Sequence, residues 1–233
     1  MKILGIDSSG LVASVAVTED DNLLAEYTVN YKKTHSQTLL PMLDEIVKMT
    51  ELQLDTIDAI AVAAGPGSFT GLRIGSATAK GLGLALKKPL IPVPTVDALA
   101  YNLWGTENVV CPLMDARRNQ VYTGIYEFEN GGLKVIEKQM AVGIDEIAQK
   151  LNDLGRKVVF LGDGVPVYKQ FLKEAMDVPF DFAPAHMNRQ RAGAVASLGH
   201  FYALAGNIQS AKEHQPDYLR LSQAERERAE KKK

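Results

Sequence analysis

The sequence predicts an α/β fold made of two tandem copies of one subdomain, of about 105 and 110 residues. The patterns of the first half predict the order strand, strand, strand, helix, strand, helix, strand, helix. The second half repeats this order loosely, and in each half the first apolar strand ends in an aspartate, Asp7 or Asp115. No linker rich in Ser, Gly or Pro separates the halves. We therefore expect the two subdomains, residues 1–105 and residues 106–233 with a charged tail, to pack together.

In the first half, short apolar runs and alternating residues predict the strands, and wide apolar faces predict the helices. Ala13, Val15 and Val17 share one face of the second strand, and Lys88-Pro89 ends the second helix. Pro41 should lie in the first turn of its helix or kink it. The predicted strands are 3–7, 12–17, 23–29, 57–64 and 90–93, and the predicted helices are 36–49, 71–86 and 95–104.

In the second half, Val121, Thr123 and Ile125 stand to Asp115 as Ala13, Val15 and Val17 stand to Asp7. Gly162-Asp163-Gly164 follows a strand, as Gly65 does in the first half. The predicted strands are 109–115, 133–140 and 158–161, and the predicted helices are 144–152, 167–175 and 190–205.

Composition limits the classes of function. The 233 residues are 46% hydrophobic and 23% charged, which is ordinary for a soluble globular protein. The net charge of −2 gives no global argument for nucleic acid or an anionic membrane. Cys111 has no cysteine partner, so a reducing, cytoplasmic location is expected. The most apolar segment, 74–86, is shorter than the ~20 residues of a membrane span, and the charged stretch 224–233 predicts a frayed tail.

Helix 71–86 is apolar or small on almost every side. Such a helix must be buried on almost every side, which favours a core on one face and a partner protein on another. Small residues recur every four positions and permit close approach of a second backbone. The alternative is a central core helix without a partner. With the wide apolar face of helix 36–49, the predicted partner interface comprises Leu39, Leu43, Ile46, Leu72, Gly75, Ala79, Leu82 and Gly83.

Three aspartates at strand ends or tight turns predict a cleft between the copies. Carboxylates there could hold magnesium or position water on a phosphate, although each could equally cap a turn. The loop 65–70 could bind an anion through backbone N–H groups, or Ser68 or Thr70 could simply cap the helix. The predicted nucleotide or anion cleft comprises Asp7, Ser8, Gly65, Gly67, Ser68, Asp115, Gly162, Asp163 and Gly164.

Other chemistries lack their motifs. No two of the four histidines stand three or four residues apart and none neighbours Cys111, so no metal site is assigned. No Gly-x-Ser-x-Gly elbow and no Walker A ending occurs, so no catalytic residue is assigned. The basic clusters Arg117-Arg118 and Arg189–Arg191 could contact phosphate, but such clusters are more often solvated surface.

Three blocks together resemble the bacterial TsaB family: MKILGIDSS at residues 1–9, HSQTLLP at 35–41 and AGPGSFTGLRIG at 64–75. PDYLR at 216–220 resembles the C-terminal end of that family. The resemblance covers nearly the whole chain. It implies two ribonuclease-H-like subdomains of the actin-like ATPase superfamily, whose members bind ATP in the cleft between the copies.

The resemblance also implies a role in synthesis of N6-threonylcarbamoyladenosine in tRNAs that read ANN codons. The paralogue TsaD performs the transfer, the ATPase TsaE joins the complex, and TsaB-like chains pair with TsaD. TsaD-like proteins carry a His-x-x-x-His metal motif where this chain has Thr95 and Leu99, and neither side chain is a good metal ligand. We therefore expect a non-catalytic subunit with no cofactor alone, with weak ATP or ADP and Mg²⁺ binding in the complex, with tRNA bound only through the complex, and with a homodimer when TsaD is absent.

Three other hypotheses remain open from the sequence. An ATP-using small-molecule kinase or ATPase of the actin-like superfamily would use the three aspartates, but each copy has little inserted sequence for a substrate pocket. A peptidase or metal enzyme lacks the histidine spacing. A nucleic-acid-binding module finds little support in the net charge of −2, although a basic patch lent to a complex remains open.

Overall fold

Two five-stranded sheets with flanking helices make up the part of the chain that the structure describes. The computed structural model describes residues 1–220, so the charged stretch 224–233 lies outside the described residues. Within residues 1–220, no helix combines the length and apolar character needed to cross a membrane.

The first sheet has the strand order β3-β2-β1-β4-β5. β1 pairs antiparallel with β2 and parallel with β4, and Gly5 lies opposite both Ala16 and Ala61. The elements of this half are β1 (Lys2–Asp7), β2 (Ala13–Glu19), β3 (Asn22–Val29), α1 (His35–Thr50), β4 (Ala59–Gly65), α2 (Phe69–Leu86), β5 (Leu90–Pro94) and α3 (Thr95–Tyr101).

The second sheet has the order β10-β9-β6-β7-β8, which is the same connectivity: the first strand of the half is central, with a meander on one side and parallel strands on the other. β10 has three residues and was not predicted from the sequence. The elements of this half are β6 (Val109–Asp115), β7 (Gln120–Glu129), β8 (Gly132–Gly143), α4 (Ile144–Leu154), β9 (Val158–Leu161), α5 (Val165–Ala175), β10 (Phe180–Phe182) and α6 (Ala192–Leu204).

The last helix returns to the first sheet. Val195, Ala196 and Leu198 of α6 share a buried cluster with Ile3 of β1 and Val93 of β5. The division at residue 105 falls between the two sheets, and α6 extends from the second half of the chain onto the first sheet. α6 covers the first sheet on the face opposite α1 and α2, because that sheet needs apolar cover on both sides.

The chain then runs back along α2 as a C-terminal strap, residues 207–220. Gln209 and Leu90 exchange backbone hydrogen bonds of 2.8 and 2.9 Å at the start of β5. At the other end of the strap, the Tyr218 ring lies 4.5 Å from that of Phe69, and Arg220 Nη1 donates to Ala116 O at 2.6 Å. The strap therefore connects the edge of the first sheet, α2 and the second subdomain.

Candidate functional site

A cleft with a cavity of about 480 Å³ lies between the two subdomains. Four residues predicted for a nucleotide or anion cleft line it: Gly67, Ser68, Asp115 and Asp163. The cavity is also lined by His35, Arg117 and Tyr122, which were not predicted as cleft residues. The remaining predicted residues are buried and do not line the cavity: Asp7, Ser8, Gly65, Gly162 and Gly164.

Two of the three aspartates accept hydrogen bonds from the loop that directly follows them. Asp7 Oδ1 accepts hydrogen bonds from Ser9 N at 2.8 Å and Ser9 Oγ at 2.6 Å. Complete burial nevertheless raises the pKa of Asp7 to about 6. Asp115 accepts from Arg117 N at 2.9 Å and pairs with Arg117 Nη1 at 3.0 Å. Both carboxylates have the turn-capping role that was the alternative to ligand binding.

Asp163 differs from these two. Its Oδ1 is buried and has no hydrogen-bond partner among the described residues. Burial raises the pKa of Asp163, and the nearby charge of Arg189 opposes that increase. Within residues 1–220, no three His, Cys, Asp or Glu side chains come close enough together to hold a metal ion. Of the three aspartates, Asp163 is therefore the one with a buried oxygen that has no partner within residues 1–220.

The glycine-rich loop before α2 is packed against the loop that follows β1. Ser68 N donates to Ser9 O at 2.6 Å, and Ser68 Oγ caps α2 by accepting from Gly71 N at 3.3 Å. A Cβ at Gly71 would clash with the carbonyl oxygen of Ser8. The glycines of this loop are thus explained by close contact with the loop after β1. Ser68 caps the helix, as the second of the two interpretations predicted.

Most residues of the predicted partner interface lie inside this chain. Of its eight residues, seven are buried within this chain: Leu39, Leu43, Ile46, Leu72, Gly75, Ala79 and Gly83. Leu82 is half-buried beside the same core. The row Gly71, Gly75, Ala79 and Gly83 faces this chain, because Gly75 lies against Ser8 and Gly83 against Leu90 and Ala211. Periodicity identified the two helices but could not distinguish the face that contacts the sheet and strap from the face that remains outside.

The outer side of the two helices carries different apolar and small residues. Leu40 of α1 is 53% exposed and Leu84 of α2 is 58% exposed. A Cβ at Gly81 would meet nothing within 4 Å. Ala77, Gly81 and Ala85 are exposed at intervals of four residues, so a second row of small residues faces outward. We call Leu40, Ala77, Gly81, Leu84 and Ala85 the helix-pair surface.

The positions that correspond to the metal motif are structural here. Thr95 Oγ1 accepts a hydrogen bond of 3.1 Å from the buried N–H of Gly65. Leu99 is 1% exposed and belongs to a hydrophobic cluster with Val110 and Tyr126. Neither side chain offers a metal ligand, because the hydroxyl is engaged and the leucine is apolar.

The class of fold is defined by two sheets of identical connectivity with a cleft between them. The fold is the duplicated ribonuclease-H-like fold. A ROK hexokinase from Thermus thermophilus has a TM-score of 0.51 at 13% identity, covering 88% of this chain and 100% of that chain, which shows the fold alone. YeaZ from Pseudomonas aeruginosa is much more similar, with a TM-score of 0.79 at 28% identity, covering 94% of this chain and 99% of that chain.

Sequence comparison places the chain within this class. The family model of TsaD, tRNA N6-adenosine threonylcarbamoyltransferase, matches residues 22–228. The tRNA threonylcarbamoyladenosine biosynthesis protein TsaB of Bacillus subtilis is 33% identical over 97% of this chain and 96% of its own length. TsaB of Escherichia coli is 33% identical over 75% of this chain and 77% of its own length. The chain belongs to the TsaB family.

Proposed function

We propose that this chain is a non-catalytic subunit of the machinery that makes N6-threonylcarbamoyladenosine in tRNA, and that it pairs with the TsaD transferase. The observation that carries the proposal is the helix-pair surface. It exposes leucines beside a row of small residues on a chain whose relatives are TsaB proteins. A protein with the same subdomains would bring an equivalent helix pair, so the two pairs could pack as a bundle.

The helix-pair surface suits the close packing of helices. Ala77, Gly81 and Ala85 leave room for a partner backbone, and Leu40 and Leu84 supply apolar area around them. Charged residues border this surface: Arg73 is exposed one turn before Ala77 and its guanidinium lies 4.0 Å from the centre of the Phe69 ring, and Lys48 of α1 pairs with Asp44. In the absence of TsaD, the same surface could pair two copies of this chain.

A non-catalytic role is supported by the residues at the metal-motif positions. Thr95 has its oxygen occupied by Gly65 N, and Leu99 lies in the core. A transferase centre of the TsaD type would need metal ligands at these positions, so the chemistry would belong to the partner. TsaE and tRNA would join through the complex, and ATP or ADP with Mg²⁺ would bind weakly there.

The cleft carries a second candidate function, ATP use by the chain itself. Its support is the cavity of about 480 Å³ and the unpartnered Oδ1 of Asp163. Calorimetric titration of the chain alone with ATP and Mg²⁺ separates the candidates. Binding that Asp163→Asn weakens would support the kinase-like alternative, and binding of TsaD without nucleotide would support the partner role.

The partner role is tested with a matched pair of substitutions. Leu84 and Val167 are both 58% exposed on helices, but only Leu84 belongs to the helix-pair surface. Leu84→Glu should abolish association with TsaD in light scattering after size exclusion, because a charge would be buried between apolar helices. Val167→Glu should leave association unchanged. Equal association of both folded variants would contradict the interface.

Gly81→Glu provides a second variant that should fold. Open space surrounds Gly81, and glutamate has the higher helix propensity. If this variant loses TsaD binding, the cause would therefore be a disrupted interface and not a failure to fold. In contrast, a leucine at Gly75 would clash with Ser8 and would test folding instead of association.

A further inference from the structure

The turn between β6 and β7 has an unusual backbone. Arg117, Arg118 and Asn119 have φ angles of 64°, 57° and 56°, so three successive residues other than glycine occupy the left-handed region. Glycine adopts this conformation without steric cost, whereas the Cβ of an arginine makes it sterically unfavourable. All three residues are exposed, and burial therefore does not explain the choice of arginine.

The turn concentrates positive charge at the mouth of the cleft. Arg117 lines the cavity and pairs with Asp115 at 3.0 Å. Arg220 of the strap reaches the same turn through Ala116 O. Arg118 forms no ion pair with any residue in 1–220. This local cluster of three arginines contrasts with the overall net charge of −2.

We propose that the turn Arg117–Asn119 is a contact site for the phosphate backbone of RNA, with Arg118 as the free cation, a role that rests on the proposed function. Guanidinium groups bind phosphate through charge-assisted hydrogen bonds. Asp115 and Asp163 line the cavity behind the turn, whereas Arg118 is exposed and does not line it, so its charge is presented at the rim. Exposed arginines at the rim can contact a long polyanion, such as RNA, that runs across the rim. A small anion bound inside the cavity would not contact them in this way.

The test uses the full chain in complex with TsaD and an unmodified tRNA that reads ANN codons. Fluorescence anisotropy gives the dissociation constant at several salt concentrations. Arg118→Gly should weaken tRNA binding roughly tenfold at low salt and make the salt dependence shallower by about one unit of slope. The same substitution should leave thermal stability unchanged or raised, since it relieves the left-handed backbone.

Two control variants distinguish the effect of losing the Arg118 charge from the effect of changing the backbone conformation of the turn. Arg118→Lys keeps the charge that neutralises a phosphate and should bind tRNA within about threefold of the wild-type affinity. Asn119→Gly changes the neighbouring left-handed residue without changing charge and should bind like the wild type. Wild-type affinity and salt slope for Arg118→Gly, or an equal loss in Asn119→Gly, would overturn the phosphate role.

Parallel titrations with ATP and with TsaD distinguish the remaining outcomes. A loss confined to ATP binding would overturn the assignment to RNA. All variants should associate with TsaD as the wild type does, because the turn is not part of the helix-pair surface. Failure of the wild-type chain to join TsaD would overturn the proposed function and this role together, whereas a failure at Arg118 alone overturns only this role.

Discussion

His214 in the C-terminal strap lies 3.0 Å, Nε2 to Oγ, from Ser76 on α2, although 138 residues separate them in the chain. His214 Nδ1 is 3.3 Å from Gln209 Oε1, and Lys80 Nζ donates to the carbonyl of His214 at 3.0 Å. The imidazole is buried, with 1% of the residue exposed. This contact fixes the strap on α2, the helix that carries most of the helix-pair surface.

We expect His214 to make stability depend on pH. Burial, and then the charge of Lys80, lower the pKa of His214 below its ordinary value of 6.5. The unfolded chain therefore binds a proton more readily, so this contribution is complete above pH 6.5 and is lost as the pH falls below it. Urea unfolding at pH 7.5 and 5.5 should show a smaller loss for His214→Gln than for the wild type. Glu213 bonds to Ser210 and serves as the control, since Glu213→Gln should leave the pH difference intact.

Asp7 should act in the opposite direction. Burial raises its pKa from 3.8 to about 6, so the folded chain binds a proton more readily than the unfolded chain. Stability should fall as the pH rises from 4 to 7, by on the order of 2–3 kcal/mol from this group. Asp7→Asn keeps an acceptor for Ser9 and should remove this component, so the variant should gain over the wild type as the pH rises. An unchanged difference between the two proteins across that range would contradict the shifted pKa.

Two glycines of α2 should respond oppositely to the same change. A Cβ at Gly71 would clash with the backbone oxygen of Ser8, whereas a Cβ at Gly81 would meet open space. Gly71→Ala should cost about 1–3 kcal/mol of unfolding free energy because the loop after β1 must move. Gly81→Ala should add about 0.5–1 kcal/mol through helix propensity. Equilibrium urea unfolding measures both, and a gain in both variants would refute the assignment of faces.

A buried carboxylate joins α3 to two of the elements that pack on it, β7 and α6. Asp97 accepts hydrogen bonds of 2.7 Å from Tyr126 of β7 and from Tyr202 of α6. Burial raises the pKa of Asp97, so these donors stabilise a charge that the interior disfavours. Tyr126→Phe should cost about 1–3 kcal/mol in urea unfolding. Tyr202→Phe should cost less, since Tyr202 is only partly buried, and an equal loss would contradict this ranking.

Much of the fold follows from local patterns. Alternation in β2 and apolar runs in β1 and β4 gave strands close to those observed, and the second half repeats the order of the first. The three-residue strand β10 was missed because three residues carry too little periodicity to distinguish a strand from a loop. Short strands depend on their neighbours in the sheet, which a local pattern does not contain.

The candidate site was predictable in position but not in detail. Strand-end aspartates and a glycine-rich loop predicted a cleft between the copies, and four of the residues named from them line a cavity there. His35 and Arg117 also line it, but their positions in the sequence do not distinguish them from surface residues. The roles of Asp7 and Asp115 as acceptors for Ser9 and Arg117 depend on loop geometry.

The sequence by itself determined the duplicated α/β fold, the family and the two helices with excess apolar surface, because periodicity and motifs are local properties. Only the tertiary structure decided which side of α2 is exposed. Ser8, the sheet and the strap pack against one of its two rows of small residues and leave the other row uncovered. It also decided that α6 returns to the first sheet. Both outcomes depend on contacts between residues far apart in the chain, and helix periodicity is the same whether a face meets its own chain or a partner.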